Sequence, residues 1–495
     1  MGMIISIVVV LLVAALFAVL ICKSKHSDLF KWLGVALFIG ILLTWIIPYG
    51  YFSSGSFYEY GMKRLGLSDI PTIAYYAIYF CLMYVVYFLA VGGFYGVVSK
   101  TKGYAQMVSS LAKKVKENKL VSAICMMVIL IGLTSVLKSA FVLVLFVPFL
   151  ISILSKAKFD KITTMGLTFG SILVGLMCAT YGTEGLYWFN SYVGIEGYAG
   201  IGYRAILAGV TLLLFVGYNV YRILKLDKKK AKDLKEVEDL YEVAEVKSKA
   251  QVWPYIVIFG LLFVVAILGY FDWAGILKVE VFDSFHEMIS NFTVTIGEEE
   301  NALLLNILGS SAVAFGTFEV QTLVPFILAA TILVGVIGKV KFNEFGENYA
   351  EGFGKMLKPV ILFVASYAVF IICYMSPFMA YISNVLFGLT ENFNGYITAL
   401  VAFISSIFHS DLGYTGYIVG SVLTTTYAEH LNVASTIYVF TYGLGQLFMP
   451  VGGLLLVGLS YLKLDYKEWF KYIWKFVVAA VVVLALFITV VMYII

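Results

Sequence analysis

The sequence predicts an all-α polytopic membrane protein made of two inverted-topology repeats, with about ten transmembrane helices and two opposed re-entrant hairpins. Three observations predict this architecture. Apolar stretches recur from end to end, lysines are concentrated in particular loops, and a short motif of polar residues occurs once in each half of the chain. Together they indicate one membrane domain folded from a duplicated unit.

The composition establishes the membrane class. The chain is 61% hydrophobic and 13% charged, with a mean hydropathy of +0.95, whereas soluble domains are about 45–50% apolar and about 25% charged. Many stretches are long enough to cross a hydrocarbon core of about 30 Å. The first, Met3 to Cys22, has no basic segment before it and no small-residue cleavage pattern after it. We therefore expect a retained helix rather than a cleaved signal, with a chain that starts at Met1.

The charge and cysteine patterns exclude several classes of protein. The net charge of +4 comes from lysines in loops, so it reports membrane orientation and predicts no nucleic-acid partner. The five cysteines have no CxxC spacing, which argues against a disulfide framework and a thiolate metal site. No Walker or HExxH pattern occurs. We expect no catalytic residues, no metal site and no cofactor.

The lysines predict which loops are cytoplasmic. Lysines are enriched in cytoplasmic loops of membrane proteins, and here they gather at residues 23–31, 100–119, 156–161, 225–235, 339–355 and 463–471. The lysine-poor segments 53–71, 184–203 and 272–300 are placed outside. Both termini then lie outside, and residues 226–251 form a charged cytoplasmic linker. The predicted helices are centred near residues 12, 41, 85, 172 and 214 in a first repeat, 1–225, and near 262, 329, 368, 445 and 483 in a second, 252–495.

Two apolar stretches are predicted to fold back. Residues 120–155 have cytoplasmic lysines on both flanks, so this stretch enters and returns to the same side. Residues 395–428 lie between stretches with almost no lysine, and loop parity places both ends outside. The two hairpins therefore point at each other from opposite faces. One alternative stays open for the first: two full crossings, with Lys138 at the outer interface, where a lysine extends harmlessly into water.

The repeated six-residue motif lies at the two predicted hairpin tips. Thr134-Ser135-Val136-Leu137-Lys138-Ser139 and Ser405-Ser406-Ile407-Phe408-His409-Ser410 share one order of residue types. Polar groups so deep in lipid are costly and usually functional, and a helix broken there must face protein or water. The serines can ligate a small cation beside freed carbonyls, whereas Lys138, His409 and Asp411 can bind a carboxylate. Alternatively, His409 is a hydrogen-bonded helix-packing residue.

Two further helices carry interruptions. Thr180, Gly182 and Thr183 end one apolar stretch, and Gln446 and Pro450 lie inside another among glycines. Glycine and proline weaken a helix and free its carbonyls; a proline kink with one interhelical hydrogen bond is the alternative. The predicted substrate-binding residues are Thr134, Ser135, Lys138, Ser139, Thr180, Gly182, Thr183, Ser406, His409, Ser410, Asp411, Gln446 and Pro450.

A duplicated membrane architecture with a site on its pseudo-symmetry axis predicts a secondary transporter. Lys138 favours a small carboxylate-bearing substrate, either a dicarboxylate or an amino acid, carried across the cell membrane. Two alternatives were weighed against this hypothesis. A membrane-embedded transferase using His409 as base would need a second catalytic group that the sequence does not show, and an ion channel is disfavoured by opposed hairpins, which suggest alternating access.

Several motifs resemble a known superfamily. Gly132-Leu133-Thr134, Phe159-Asp160-Lys161-Ile162-Thr163, and the closing stretch Gln446–Gly453 followed by Tyr466-Lys467-Glu468-Trp469 resemble the ion transporter superfamily, most closely its YfcC-like and anaerobic four-carbon dicarboxylate carrier branches. The resemblance implies elevator-type movement of a transport domain against a scaffold, a homodimer, and cation-coupled or exchange transport of carboxylates or amino acids. The tips depart from the Ser-Asn-Thr pattern of many relatives, so Na+ and H+ both stay open as the coupling ion.

Overall fold

The computed structural model describes residues 28–53, 56–228, 236–244, 249–296, 299–309, 311–390 and 392–495. Within these ranges nine helices are long and apolar enough to cross a membrane, and several shorter apolar helices accompany them. This confirms the predicted class, an all-α multi-pass membrane protein. The helix predicted near residue 12 and parts of the 226–251 linker lie outside the described residues.

The first half of the chain is a series of helices with two interruptions. The helices are α1 (Leu29–Ile46), α2 (Ile70–Val98), α3 (Lys102–Glu117), α4 (Lys119–Val136), α5 (Val147–Lys156), α6 (Lys161–Met165), α7 (Ser171–Met177), α8 (Glu184–Val193) and α9 (Ile201–Lys228). A 3-10 helix, Ala140–Phe146, leads into α5, and a π-helical turn, Gly166–Gly170, joins α6 to α7. An antiparallel pair of strands, β1 (Gly50–Ser53) and β2 (Ser56–Glu59), precedes α2.

The second half is also built mainly of helices. Its helices are α10 (Trp253–Tyr270), α11 (Trp273–Leu277), α12 (Val281–Ser290), α13 (Leu303–Leu308), α14 (Val324–Ile337), α15 (Phe342–Met375), α16 (Phe378–Phe387), α17 (Gly395–Phe408), α18 (Leu412–Thr426), α19 (Leu431–Phe448), α20 (Gly453–Tyr461) and α21 (Tyr466–Ile494). A second small pair of antiparallel strands, β3 (Val294–Ile296) and β4 (Glu299–Asn301), lies between α12 and α13.

Short polar side chains begin several of these helices. Asp28 accepts a hydrogen bond from the Phe30 N–H at 3.1 Å at the start of α1, and Asp160 accepts one from the Thr163 N–H at 3.3 Å at the start of α6. Such caps satisfy backbone donors that have no partner within the first turn of a helix. The sequence therefore sets these two helix starts locally.

Glycines bring α2 and α15 into backbone contact. A methyl group added to Gly96 or to Gly352 would overlap with backbone atoms of the facing helix, and one added to Gly92 would meet the carbonyl of Gly352 at 2.9 Å. Small residues allow helices to approach this closely, and the close approach maximises their van der Waals contact. We call these two helices the central pair.

The chain reverses direction in two segments. The Lys119 ammonium, at the start of α4, lies 5.6 Å from the ring centroid of Phe159, just after α5. The rings of Phe393, before α17, and Tyr427, after α18, have centroids 5.1 Å apart. In each segment the helix stops and extended backbone follows, at residues 137–139 (the first tip) and residues 409–411 (the second tip).

The described part of the linker, residues 236–244, contacts two groups of helices. The Asp239 carboxylate accepts a hydrogen bond from the Ser152 hydroxyl of α5 at 2.5 Å. The buried Tyr241 donates its hydroxyl to the Gly352 carbonyl of α15 at 3.2 Å. This segment therefore joins the first reversing segment to the central pair.

Candidate functional site

A cavity of about 380 Å³ lies between the central pair and the two tips. This volume is within the range of about 300–1,000 Å³ that is usual for small-molecule sites. Aromatic and apolar side chains of α2 and α15 form one wall, at Phe80, Met83, Tyr84, Phe363, Tyr367 and Phe370. Polar side chains converge from the other directions, at Lys138, Ser139, Thr183, Glu184, Ser410, Asp411, Tyr442 and Gln446.

Backbone donors hold the first tip. Residues 178–183, between α7 and α8, form the first break, and the N–H groups of Thr180 and Gly182 both donate to the Ser135 carbonyl at 2.9 Å. The Thr183 N–H donates to the Leu137 carbonyl, also at 2.9 Å. Each interruption therefore satisfies backbone groups that the other leaves without a helical partner, which removes the cost of burying them unpaired.

The geometry of the first break depends on Gly182 and Thr183. A Cβ on Gly182 would lie 2.5 Å from the Leu137 carbonyl oxygen, so only glycine fits against the first tip. Thr183 has a φ of +68°, a conformation rare for a β-branched residue. Its hydroxyl accepts the Leu186 N–H at 3.2 Å and caps α8. Such backbone strain, which costs about 1–3 kcal/mol, persists only where the surroundings hold it.

Side chains of α19 hold the second tip. The Gln446 amide donates to the carbonyls of Ser406 at 2.9 Å and His409 at 3.3 Å. The Tyr442 hydroxyl donates to the same His409 carbonyl at 2.9 Å. Here α19 continues to Phe448 before the second break, residues 449–452. The second tip is therefore paired with the side of a helix rather than with another interruption.

Lys138 carries positive charge to the cavity. Its side chain is 33% exposed, and its ammonium lies 4.0 Å from a carboxylate oxygen of Asp272, just after α10. Asp272 also accepts a hydrogen bond from the Tyr198 hydroxyl. A lysine within an apolar stretch needs such a partner or water. Lys138 has such a partner in Asp272. It also lines the cavity, where it can bind a second anion.

The second tip brings Ser410 and Asp411 to the cavity. The Ser410 hydroxyl donates to the Ser366 carbonyl of α15 at 3.2 Å, which links this tip to the central pair. Asp411 accepts the Tyr414 N–H at 2.9 Å and caps α18. His409 is only 1% exposed and does not line the cavity; its Nδ1 lies 3.2 Å from the Thr415 hydroxyl.

The structure sorts the predicted residues into two sets. Those at the cavity are Lys138, Ser139, Thr183, Ser410, Asp411 and Gln446, and those that lie outside its lining are Thr134, Ser135, Thr180, Gly182, Ser406, His409 and Pro450. Most of the second set builds the tips and the first break through the hydrogen bonds described above. Pro450 is buried in the second break.

Sequence reasoning missed Glu184 and the aromatic wall. Glu184 was placed in an outside loop, 184–203, although it lines the cavity at the start of α8. The signal for Glu184 was its position directly after the Gly182-Thr183 interruption. The aromatic residues gave no usable signal, because tyrosine and phenylalanine are frequent throughout membrane proteins. Among the residues that the structure describes, no cluster of three or more His, Cys, Asp or Glu can hold a metal ion.

The whole chain matches one family. The sequence model of the family described as DcuC, C4-dicarboxylate anaerobic carrier, covers residues 1–494. The chain belongs to the DcuC family. The resemblance to the four-carbon dicarboxylate carriers is thereby confirmed, and the protein is a transmembrane dicarboxylate transporter and not an enzyme. No curated protein matches the chain.

Membership of the DcuC family decides among the functional alternatives. A secondary transporter has no need of His409 as a catalytic base, so the transferase hypothesis is wrong, as is the channel hypothesis. The family gives no support to an amino-acid substrate. For a DcuC member, the cavity with Lys138 on one side and aromatic rings on the other is the candidate binding site.

Proposed function

We propose that this chain binds a four-carbon dicarboxylate in the cavity between the two tips, with one substrate carboxylate on the Lys138 ammonium. The observation that carries the proposal is Lys138 itself, the one cation among the described residues that line the cavity. The hydroxyls of Ser139 and Thr183 and the amide of Gln446 converge on the same space and can orient the substrate.

Substitution of Lys138 tests this proposal. In liposomes containing purified protein, Lys138→Ala should lose most uptake of labelled succinate, because the substrate carboxylate loses its charge partner. Lys138→Arg should rescue poorly, since a guanidinium is larger and planar. Lys341→Ala, which removes an 83% exposed lysine, is the matched control and should behave as the parent. Unchanged affinity and ion dependence in Lys138→Ala would move the site to Gln446 and the tip hydroxyls.

We also propose coupling to protons. The charged groups at the cavity, among the residues described, are Lys138, Glu184 and Asp411. A dianion at about 5 Å from a carboxylate is repelled by about 3 kcal/mol per pair of charges even at an effective dielectric constant of about 20. Glu184 and Asp411 must therefore be neutral when the substrate binds, which favours H+ over Na+ as the coupling ion.

The pH dependence of uptake tests the proton proposal. Affinity for succinate should fall as the pH rises, because both carboxyls lose their protons, and Glu184→Gln should weaken this dependence by fixing one of them as neutral. The other charged groups around Glu184 are Lys138, Asp411 and Glu319. Glu242→Gln, at an exposed linker position, is the control. A pH profile that is the same in Glu184→Gln and the parent would contradict the proposal.

For the architecture we propose two inverted repeats, residues 1–225 and 252–495, with opposed re-entrant hairpins and a homodimeric assembly. The two reversing segments, whose tips meet one cavity, support the opposed hairpins, whereas the homodimer is what the resemblance to the superfamily implies. Single cysteines in a cysteine-free background test the orientation with an impermeant thiol reagent. Position 280 should label from outside and position 249 from inside; the reverse pattern would show that the termini do not lie outside.

The same cysteine method tests movement of the tips. Cysteines at Ser135 and Ser410 should become accessible from one side at a time, with substrate changing the labelling rates, if each tip is an alternating gate. Constant labelling of position 135 from the outer face alone would instead support two full crossings for residues 120–155.

A further inference from the structure

Arg204 is a buried cation close to the first break. It lies in the first turn of α9 and is 3% exposed. Its guanidinium donates to three backbone carbonyls: Nε to Thr180 at 3.1 Å, one terminal nitrogen to Ala199 at 2.9 Å, and the other to Tyr198 at 3.1 Å. The Thr180 carbonyl belongs to the first break. Arg204 is therefore hydrogen-bonded to the backbone segment that contacts the first tip.

Among the residues that the structure describes, no carboxylate pairs with this charge. Within the described part of the chain, the hydrogen-bond partners of Arg204 are these carbonyls, and it forms no ion pair within 4.0 Å. Burying a charge without a counter-ion is expensive and persists only with strong compensating contacts. Carbonyls freed at an interrupted helix are also the ligands that transporters offer to a bound metal cation. The surroundings of Arg204 are therefore those of a cation site.

In the second half, an uncharged side chain donates to a backbone carbonyl near the break. Arg204 is the fourth residue of α9, and Trp469 is the fourth residue of α21, the long helix that follows the second break. The Trp469 indole N–H donates to the Leu447 carbonyl at 2.9 Å, close to that break. A neutral donor at this position is therefore enough to satisfy a carbonyl. The charge of Arg204 needs a different explanation.

We propose that Arg204 is a tethered cation that supplies, at the first break, the positive charge that a bound coupling cation would otherwise supply. This rests on the proposed function. Arg204 is a positioning residue: it contacts the Thr180 carbonyl, while the N–H groups of Thr180 and Thr183 donate to the first tip and Thr183 lines the cavity. Dicarboxylate binding at Lys138 consequently needs no metal cation at this break.

The test asks whether a free cation replaces the side chain. Arg204→Ala leaves a space lined by carbonyl oxygens, and succinate uptake into liposomes in choline buffer should fall by about tenfold or more, the change expected when hydrogen bonds to a charged group are lost. Millimolar methylguanidinium should restore uptake, and Na+ should restore it in part. Arg204→Lys should stay independent of added cations, whereas Arg204→Gln, which keeps an N–H donor without charge, should not.

A second measurement does not depend on transport. In detergent without substrate, methylguanidinium should raise the thermal unfolding temperature of Arg204→Ala or Arg204→Gln and leave that of the parent unchanged. Arg64→Ala, which removes an exposed arginine whose guanidinium lies 3.9 Å from the Met62 sulfur, is the control that should gain no such response.

The two measurements separate the possible failures. If the parent carries no dicarboxylate while the Arg204 variants still bind methylguanidinium, the proposed function fails and the cation site stands. If Arg204→Gln equals the parent in uptake without added cations and in stability, the charge has no role and the inference is overturned. Arg204→Gln and Arg204→Lys decide the question even if Arg204→Ala does not fold.

Discussion

The first tip and the end of α4 before it are held by N–H groups of Thr180, Gly182 and Thr183. The second tip and the end of α17 before it are held by the side chains of Gln446 and Tyr442. A backbone donor is removed only by substitution with proline, whereas a side-chain donor is removed by most substitutions. The first tip is therefore sensitive to anything that changes the shape of the first break, and the second is sensitive to the identity of two residues on α19. This difference gives distinct ways to disturb each half.

The largest effect is expected at the first break. Gly182→Ala would place a methyl group 2.5 Å from the Leu137 carbonyl oxygen, and the backbone there cannot move aside. We expect a loss of about 3 kcal/mol or failure to fold, as for severe overpacking. Thermal unfolding in detergent and succinate uptake measure this.

Two glycines provide the comparison for Gly182. Gly202→Ala, with nothing within 4 Å of the new methyl group, should be close to neutral. Gly445→Ala in the second half would place a methyl group 2.5 Å from the Ser406 Cβ, which rotation of the hydroxyl cannot relieve, so its cost should be close to that of Gly182→Ala. Equal unfolding temperatures for Gly182→Ala and Gly202→Ala would show that the first tip is not held tightly by backbone.

A smaller effect is expected at the second tip. Gln446→Leu and Tyr442→Phe each remove a donor to the His409 carbonyl, and each should cost about 1–3 kcal/mol if that carbonyl stays buried. Because they share one acceptor, the double variant should lose more than the sum of the two. Unfolding free energies of the four proteins measure the coupling.

A buried tyrosine without a hydrogen bond is the control for this cycle. The Tyr461 hydroxyl has no hydrogen-bond partner among the described residues, so Tyr461→Phe should leave stability unchanged or improved. Strict additivity of Gln446→Leu and Tyr442→Phe would contradict the shared role of the two side chains.

The smallest effect concerns the linker, which contacts the first reversing segment. Burial raises the pKa of the Asp239 carboxyl to about 6, against the opposing effect of hydrogen bonds from Ser152 and the Tyr241 N–H and of the nearby Lys355 and Lys156. Because this pKa is above the ordinary value of 3.8, docking of the linker favours the protonated form. Docking is strongest below that ordinary value and weakens as the pH rises through about 6.

Amide exchange of residues 236–244 on the two sides of this pKa measures the linker effect. Asp239→Asn keeps an oxygen acceptor for Ser152 without a charge, so its protection should exceed that of the parent at alkaline pH and equal it at acidic pH. Comparison of the two proteins at the same pH removes the intrinsic pH dependence of exchange. Equal protection at alkaline pH would show that Asp239 does not control docking.

The sequence predicts where the helices are interrupted more accurately than it predicts which side chains there line the cavity. Polar residues in apolar stretches predict both tips. Aligning the two six-residue motifs, however, places Lys138 opposite His409. In the structure α4 ends at Val136 and α17 ends one aligned position later, at Phe408. Lys138 and Ser410 are each the second residue after the end of their helix and both line the cavity, so Ser410 and not His409 has the position of Lys138.

Loop charge gives no signal that Glu184 lines the cavity. Lysine counts assign a loop to one side of the membrane, but they carry no information about depth. The chain before Glu184 leaves helical geometry after Met177, so α8 begins closer to the middle of the molecule than the loop assignment implied. Arg204 was missed for a similar reason, because its role depends on carbonyls that only the folded break brings together.

The glycine contact between α2 and α15 has a mechanical consequence. Where the two backbones touch, at Gly96 and Gly352, no side chain lies between the helices that could repack by a rotamer change. Packed interiors resist small continuous deformation, so sliding along this contact would need backbones to separate first. The central pair is thus held rigidly at these glycines. We expect the central pair to stay together as one unit during transport, because separating its backbones would lose this contact.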